Sequence, residues 1–264
     1  MKLIKHAKQP EAKFDVYFLG YDSPGAPSAG NHVFDREGLI ELTHNYGTED
    51  DPNYKINNGN TEPHRGFGHT CISVDNIQAA CQRIEDAGYS FKKKLTDGRM
   101  NHIAFALDPD GYWVEIIGQK PIEETKEIKE TSVETYRMVS LAVVCSRFVR
   151  LTYHQNHTMI RVKDIEKSLK FYQEVLGMKL IRTHEAEAAG FNLYFLGYPS
   201  KNDTASAGTE STANREGLLE LTWNYGTEKD ENFKYHSGNE DPQGFGHICK
   251  RPSFVPSFAV LTSV

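Results

Sequence analysis

Residues 14–71 of this chain recur at 191–249, and few folds tolerate so long an internal repeat. FDVYFLGYDSP returns as FNLYFLGYPSK, and DREGLIELTHNYGTEDDPNYK returns as NREGLLELTWNYGTEKDENFK. Both copies end on GFGH, at 66–69 and 244–247. Residues 178–181 (MKLI) align with 1–4, so the first copy enters the unit partway. HTMIRVKDIEKSLKFYQEVLG, at 157–177, has no counterpart before Met1, and the second copy leaves the pattern after Cys249.

A finer repeat lies inside the coarse one. HTCISVDNI at 69–77 resembles HTMIRVKDI at 157–165, and each is followed by apolar residues at helical spacing. These are Ile77, Ala80, Cys81 and Ile84, then Ile165, Leu169, Tyr172 and Leu176. Asp75 or Asn76 and Asp164 are candidate N-caps, and Gly88 and Gly177 suit the left-handed position that closes a last turn. Runs rich in β-branched and aromatic residues predict strands at 103–107, 112–117, 191–196 and 218–223. Each GFGH reads as a turn that puts its histidine first in a new strand. The unit is therefore βαβββ, an α+β fold in which the chain keeps two modules whole and two in part.

Composition excludes several function classes. A net charge of −6 argues against nucleic-acid binding, and no run of 18 apolar residues suggests a membrane span. Four cysteines without CxxC spacing, and no signal peptide, point to free thiols and the cytoplasm.

The chemistry is expected where carboxylates stand on apolar strands. With period-two alternation Glu115 shares a face with Trp113 and Ile117, Glu220 with Leu218 and Thr222, and Glu41 with Leu39 and Thr43. A buried carboxylate needs a cation, a metal or donors opposite it. Beside strand-borne histidines, and with no ligating cysteine, these glutamates favour a divalent ion such as Zn²⁺ or Ni²⁺.

RGFGH, DGRM, DPDGYWVE, NHTMIRV and ELTWNYGTE, which appear in the family's order, resemble glyoxalase I (lactoylglutathione lyase) of the vicinal-oxygen-chelate superfamily, in its fungal monomeric form of four βαβββ modules. The resemblance covers all but 138–155 and 250–264. It implies paired modules forming half-barrel sheets with flanking helices, the first and last modules being incomplete. The expected division is a first half at 1–120, a linker and insert at 121–155, a second half at 156–249 and a tail outside the family pattern at 250–264. The insert and the tail have the character of untranslated sequence read through.

The resemblance implies one complete metal site, His69 and Glu115 from the second module with His157 and Glu220 from the third. Glu41 and His247 would be remnants of a second, incomplete site. It further implies isomerisation of the hemithioacetal of methylglyoxal and glutathione to S-lactoylglutathione, with Zn²⁺ or Ni²⁺ as Lewis acid, glutathione as co-substrate, and Glu115 and Glu220 as the proton-transferring bases. Arg65, Lys93, Arg99, Met100, Trp113, Arg161 and Asn224 would contact the substrate, in a monomer whose modules pair within the chain. The competing expectations are a weakly active or non-catalytic remnant that binds metal or ligand, and a related metalloenzyme such as a dioxygenase.

Overall fold

The computed structural model describes residues 1–22, 28–98, 100–120, 153–198 and 212–249. Eleven strands form two sheets among them. The smaller sheet is an antiparallel meander of β1 (Lys2–Gln9), β2 (Phe14–Gly20) and β3 (Ile40–Asn45). The larger has eight strands in the order β5 (Phe91–Lys93), β6 (Ile103–Leu107), β7 (Trp113–Gly118), β4 (Phe67–Val74), β8 (His154–Val162), β11 (Leu218–Asn224), β10 (Phe191–Gly197) and β9 (Lys179–Ala186).

Two modules build the large sheet. One is β4 (Phe67–Val74), helix α1 (Ile77–Asp86), β5 (Phe91–Lys93), β6 (Ile103–Leu107) and β7 (Trp113–Gly118). The other is β8 (His154–Val162), helix α2 (Ile165–Lys170), β9 (Lys179–Ala186), β10 (Phe191–Gly197) and β11 (Leu218–Asn224). Antiparallel pairing of β4 with β8 joins them, and β7 and β11 run parallel to their module's first strand. The four central strands are thus β7, β4, β8 and β11.

Alternation assigns the faces. Ile72 and Val74 of β4, with Val114 and Ile116 of β7, meet Ile77, Ala80, Cys81 and Ile84 of α1. Ile160 and Val162 of β8, with Leu219 and Leu221 of β11, meet Ile165, Leu169, Tyr172 and Leu176. Burying each such aliphatic side chain contributes about 1.5–3 kcal/mol, so these helix faces hold the sheet. The opposite face is left for His69, Glu115, His157 and Glu220. Asn76 and Asp164 cap the two helices by accepting from the amides of Ala79 and Lys167. Gly88 and Gly177 take φ of 82° and 70°, as their sequence positions suggest. The second helix loosens into a π-turn at Phe171–Val175 before reaching Leu176.

Three boundaries differ from expectation. β4 begins at Phe67, so His69 is its third residue and not its first. The second GFGH opens no strand: Gly244 makes a single bridge to Asn57, and His247 lies in irregular chain. β8 begins at His154, inside the expected interruption at 138–155, and His154 and Gln155 are buried because they pair with Ser73 and Ile72 of β4. Residues 138–152 of the expected insert and the tail at 250–264 lie outside the described residues.

The first glycine of each GFGH owes its identity to a neighbouring chain segment. The loops 57–66 and 236–244 cross each other with local two-fold symmetry. Asn57 donates its amide to the Gln243 carbonyl at 2.9 Å, and His236 donates to the Arg65 carbonyl at 2.7 Å. A Cβ on Gly66 would overlap the His236 carbonyl oxygen, and one on Gly244 would overlap that of Asn57. Phe67 and Phe245 stack across the axis, with ring centroids 4.3 Å apart and planes at 12°.

Candidate metal centre

His69, Glu115, His157 and Glu220 project one from each of the four central strands, and their ligand atoms all lie within 4.8 Å of one another. His157 Nε2 is 3.2 Å from His69 Nε2, 3.2 Å from Glu115 Oε2 and 3.0 Å from Glu220 Oε2. His69 Nε2 lies 3.4 Å from Glu115 Oε2. All four residues are buried, from 3% to 8% exposed. Donors held about 2.1 Å from one ion in a tetrahedral or octahedral shell stand roughly 3.0–3.4 Å apart, so these contacts have the spacing of a coordination sphere.

Electrostatics favour a cation there. Burial alone would push Glu115 up, but the charges and hydrogen bonds of His69 and His157 outweigh it and hold the carboxyl well below the usual carboxylate range. Burial alone would push His157 down; the Cys71 sulfur, Glu115 and Glu220 outweigh it and hold the imidazole well above its ordinary value. Cys71 is fully buried, which raises its own pKa and keeps it a neutral thiol, so the carboxylates carry the charge that matters. Two buried carboxylates thus pull positive charge onto Nε2. Two imidazoles and two carboxylates suit a borderline divalent ion.

The site has walls that the motifs did not announce. Phe105 packs edge-on to His69 at 5.3 Å, Phe195 packs edge-on to His157 at 5.5 Å, and Phe105 also meets Trp113 at 5.7 Å. Period-two counting from His69 along β4 would have found Cys71 as well. The bulges on either side of His69 in the β4–β8 register tilt the strand at the site, a common device beside functional residues.

Glu41 differs from Glu220 despite its shared sequence context. Glu220 lies between β8 and β10, whereas β3 is the edge of the three-stranded sheet, and Glu41 is exposed. The expectation that it is buried is therefore corrected. Its Oε2 approaches His247 Nε2 at 3.8 Å, and among the described residues no third ligand joins them.

The residues expected at the substrate are placed as follows. Arg161 donates through Nη1 to the carbonyls of Gly59 (3.1 Å) and Phe67 (2.8 Å), and through Nη2 to Asn60 Oδ1 at 2.8 Å. Burial, helped by Arg65, lowers its pKa to about 10, so it remains a cation at neutral pH. Lys93 Nζ donates to the carbonyls of Lys94, Met100 and Ile103, at 3.1, 2.8 and 3.0 Å. Arg65 pairs with Glu62 at 3.2 Å, Met100 is exposed, and Trp113 carries Lys92 Nζ 5.5 Å from its ring centroid. Asn224 donates to the Tyr235 hydroxyl at 2.7 Å. Arg99 lies outside the described residues.

The family profile described as Glyoxalase/Bleomycin resistance protein/Dioxygenase superfamily matches residues 12–116 and 154–255, both repeats of the chain. The chain belongs to this glyoxalase superfamily. Glyoxalase I of Saccharomyces cerevisiae is 49% identical over 252 residues, covering 94% of this chain and 69% of that one. Lactoylglutathione lyase of Schizosaccharomyces pombe is 46% identical over 250 residues, covering 94% and 72%. The crystal structure of glyoxalase I from Zea mays matches with a TM-score of 0.54 at 27% identity, covering 85% of this chain and 59% of that one. The glyoxalase fold is thus the one seen, with its metal-competent cluster at the seam between modules. Among the described residues, no helix is long and apolar enough to cross a membrane.

A glyoxalase centre of this kind should bind one divalent ion tightly and expel protons as it does so. His157 holds its extra proton below a raised pKa, and a ligating imidazole must give it up. Affinity should therefore fall as pH is lowered. Calorimetric Zn²⁺ titrations in buffers of different ionisation enthalpy would read both stoichiometry and proton release. Two tight equivalents per chain would contradict the account of Glu41 and His247.

Proposed function

We propose that the chain is a lactoylglutathione lyase, isomerising the hemithioacetal of methylglyoxal and glutathione to S-lactoylglutathione, with Zn²⁺ as its resident ion and glutathione as co-substrate. The observation that carries this reading is the buried, four-ligand cluster of His69, Glu115, His157 and Glu220 in a chain 49% identical to a yeast glyoxalase I. When bound, the ion supplies a Lewis acid for two adjacent substrate oxygens, lowering the cost of the negative charge that develops when a carbon-bound proton departs.

The chain's own residues do the rest. One carboxylate, Glu115 or Glu220 according to the substrate enantiomer, takes the proton from the hydroxyl-bearing carbon beside sulfur and delivers it to the neighbouring carbon. Bonds and protons balance: one C–H breaks and another forms, the hydroxyl proton passes from the oxygen beside sulfur to the neighbouring oxygen, and no external reagent is consumed. With His69 and His157 neutral as ligands, their lowering influence on Glu115 is removed and burial raises its basicity, against the opposing charge of the ion. Phe105 and Phe195 keep water away from the transferred proton. As the resemblance implies, Arg161 and Asn224 would meet the polar groups of the tripeptide, Arg65, Lys93, Arg99 and Met100 its carboxylates and thioether end, and Trp113 would be a further substrate contact. Because Arg161 and Lys93 are engaged with backbone carbonyls, they act on the substrate by ordering the loops at 59–67 and 94–103 or by exchanging those partners for its carboxylates. Two carboxylates beside two histidines do not match the 2-His-1-carboxylate set of an iron dioxygenase. We read the chain as a monomer, since β4 and β8 pair its modules internally.

The test is thioester formation from methylglyoxal and glutathione by the metal-loaded chain. Activity abolished by chelator and restored by Zn²⁺ is expected. A folded, zinc-loaded chain that forms no thioester would overturn the proposal in favour of a binding remnant.

A further inference from the structure

The two histidines of the centre are held differently. His157 Nδ1 lies 2.7 Å from Asn156 Oδ1. The orientation of that amide is fixed on its other side, where Nδ2 donates to the carbonyls of Thr212 at 2.7 Å and Arg215 at 2.8 Å. Two carbonyl oxygens can face only the NH₂ end, so the oxygen must face the imidazole. Asn156 is 1% exposed, and water does not compete for these bonds. The only group able to fill the 2.7 Å contact is an N–H on Nδ1, which leaves Nε2 directed at Glu115 and Glu220.

His69 has no such arrangement. The residue before it is Gly68, which has no side chain to bond Nδ1, and a Cβ there would have to displace the Met159 thioether. The cluster is symmetric in its ligands and asymmetric in what stands behind them.

We propose that Asn156 is a positioning residue of the metal centre: it holds a proton on Nδ1 of His157 and orients the ring, so that the proton given up on ligation is the one on Nε2 and that nitrogen faces the divalent ion. This rests on the reading of the four-residue cluster as a metal site. Without Asn156 the neutral imidazole left once the extra proton departs would keep its remaining proton on Nε2, bonded to the carboxylates 3.0–3.2 Å away, and would have to shift it to Nδ1 before ligating. Residues that orient a ligating histidine in this way typically contribute about 10–100-fold to metal affinity.

The test compares zinc dissociation constants by chelator competition for the full chain, Asn156→Ala and Asn156→Asp. The alanine variant should bind about 10–100-fold more weakly. Aspartate keeps an acceptor for Nδ1–H but loses the donors to Thr212 and Arg215, so its zinc affinity should stay within about threefold of the parent chain even if its melting temperature falls. If Asn156 served only to tie down residues 212–215, alanine and aspartate would weaken zinc binding alike, and that result, or an unchanged affinity in both, would overturn the proposal. A readout that needs no variant is the imidazole ¹⁵N–¹H spectrum of the zinc-loaded parent chain. A slowly exchanging Nδ1–H is expected for His157, and rapid exchange there would count against the proposal even if the alanine variant failed to fold. A parent chain that binds no zinc at all would instead refute the metal-site reading and is distinguishable on that ground.

Discussion

Glu115→Gln should lower kcat/KM for the hemithioacetal by about 10²–10⁴-fold while leaving the chain folded, because it removes a general base but keeps the side-chain volume. Glu115 faces both imidazoles, from β4 and from β8, and an amide there can neither take a carbon-bound proton nor hold the charge of the ion. Zinc affinity should fall too, so the comparison is made at saturating metal, where the remaining loss reports proton transfer. Glu220→Gln should behave similarly toward the other substrate enantiomer. The measurement is the initial rate of thioester formation with each variant. Full activity in the zinc-loaded Glu115→Gln chain would remove it from the proton-transfer role.

Gly66→Ala and Gly244→Ala should each destabilise the chain by about 3 kcal/mol, at the upper end of what overpacking costs. The atom a new methyl group would strike is in each case a backbone carbonyl oxygen, of His236 or of Asn57, in a loop tied by reciprocal hydrogen bonds, so it cannot swing aside as a side chain would. Gly246, two residues beyond Gly244, has nothing within 4 Å of its would-be Cβ and serves as a control. Gly246→Ala should change stability by no more than about 0.5 kcal/mol. Urea denaturation of the three variants reads the contrast, and equal midpoints would mean that the crossed loops do not form in solution.

The parts of the fold that follow local rules were legible in the sequence. Period-two alternation put Glu115 and Glu220 on the correct strand face, and helical spacing found both core-facing helices with their caps and closing glycines. What failed depends on which strands are neighbours, which alternation does not encode. Glu41 and Glu220 stand in nearly the same sequence, yet one lies on a sheet edge and the other between two partners. Gly66 reads locally as a turn residue, and only the crossing of two loops far apart in sequence reveals why a side chain is excluded and why β4 starts before His69. Phe105 and Phe195 carry no motif that separates them from ordinary core residues, and Asn156 opens NHTMIRV without any local signal of its bond to the next residue.

The seam between β4 and β8 joins strands that stand far apart in the chain. Closing so long a loop costs conformational entropy that grows only with the logarithm of its length, so doubling the intervening stretch costs about 0.6 kcal/mol. Lengthening the connection between β7 and β8 therefore adds little closure cost to the seam. A stretch outside the repeat is most cheaply accommodated at this junction, and there the sequence carries one.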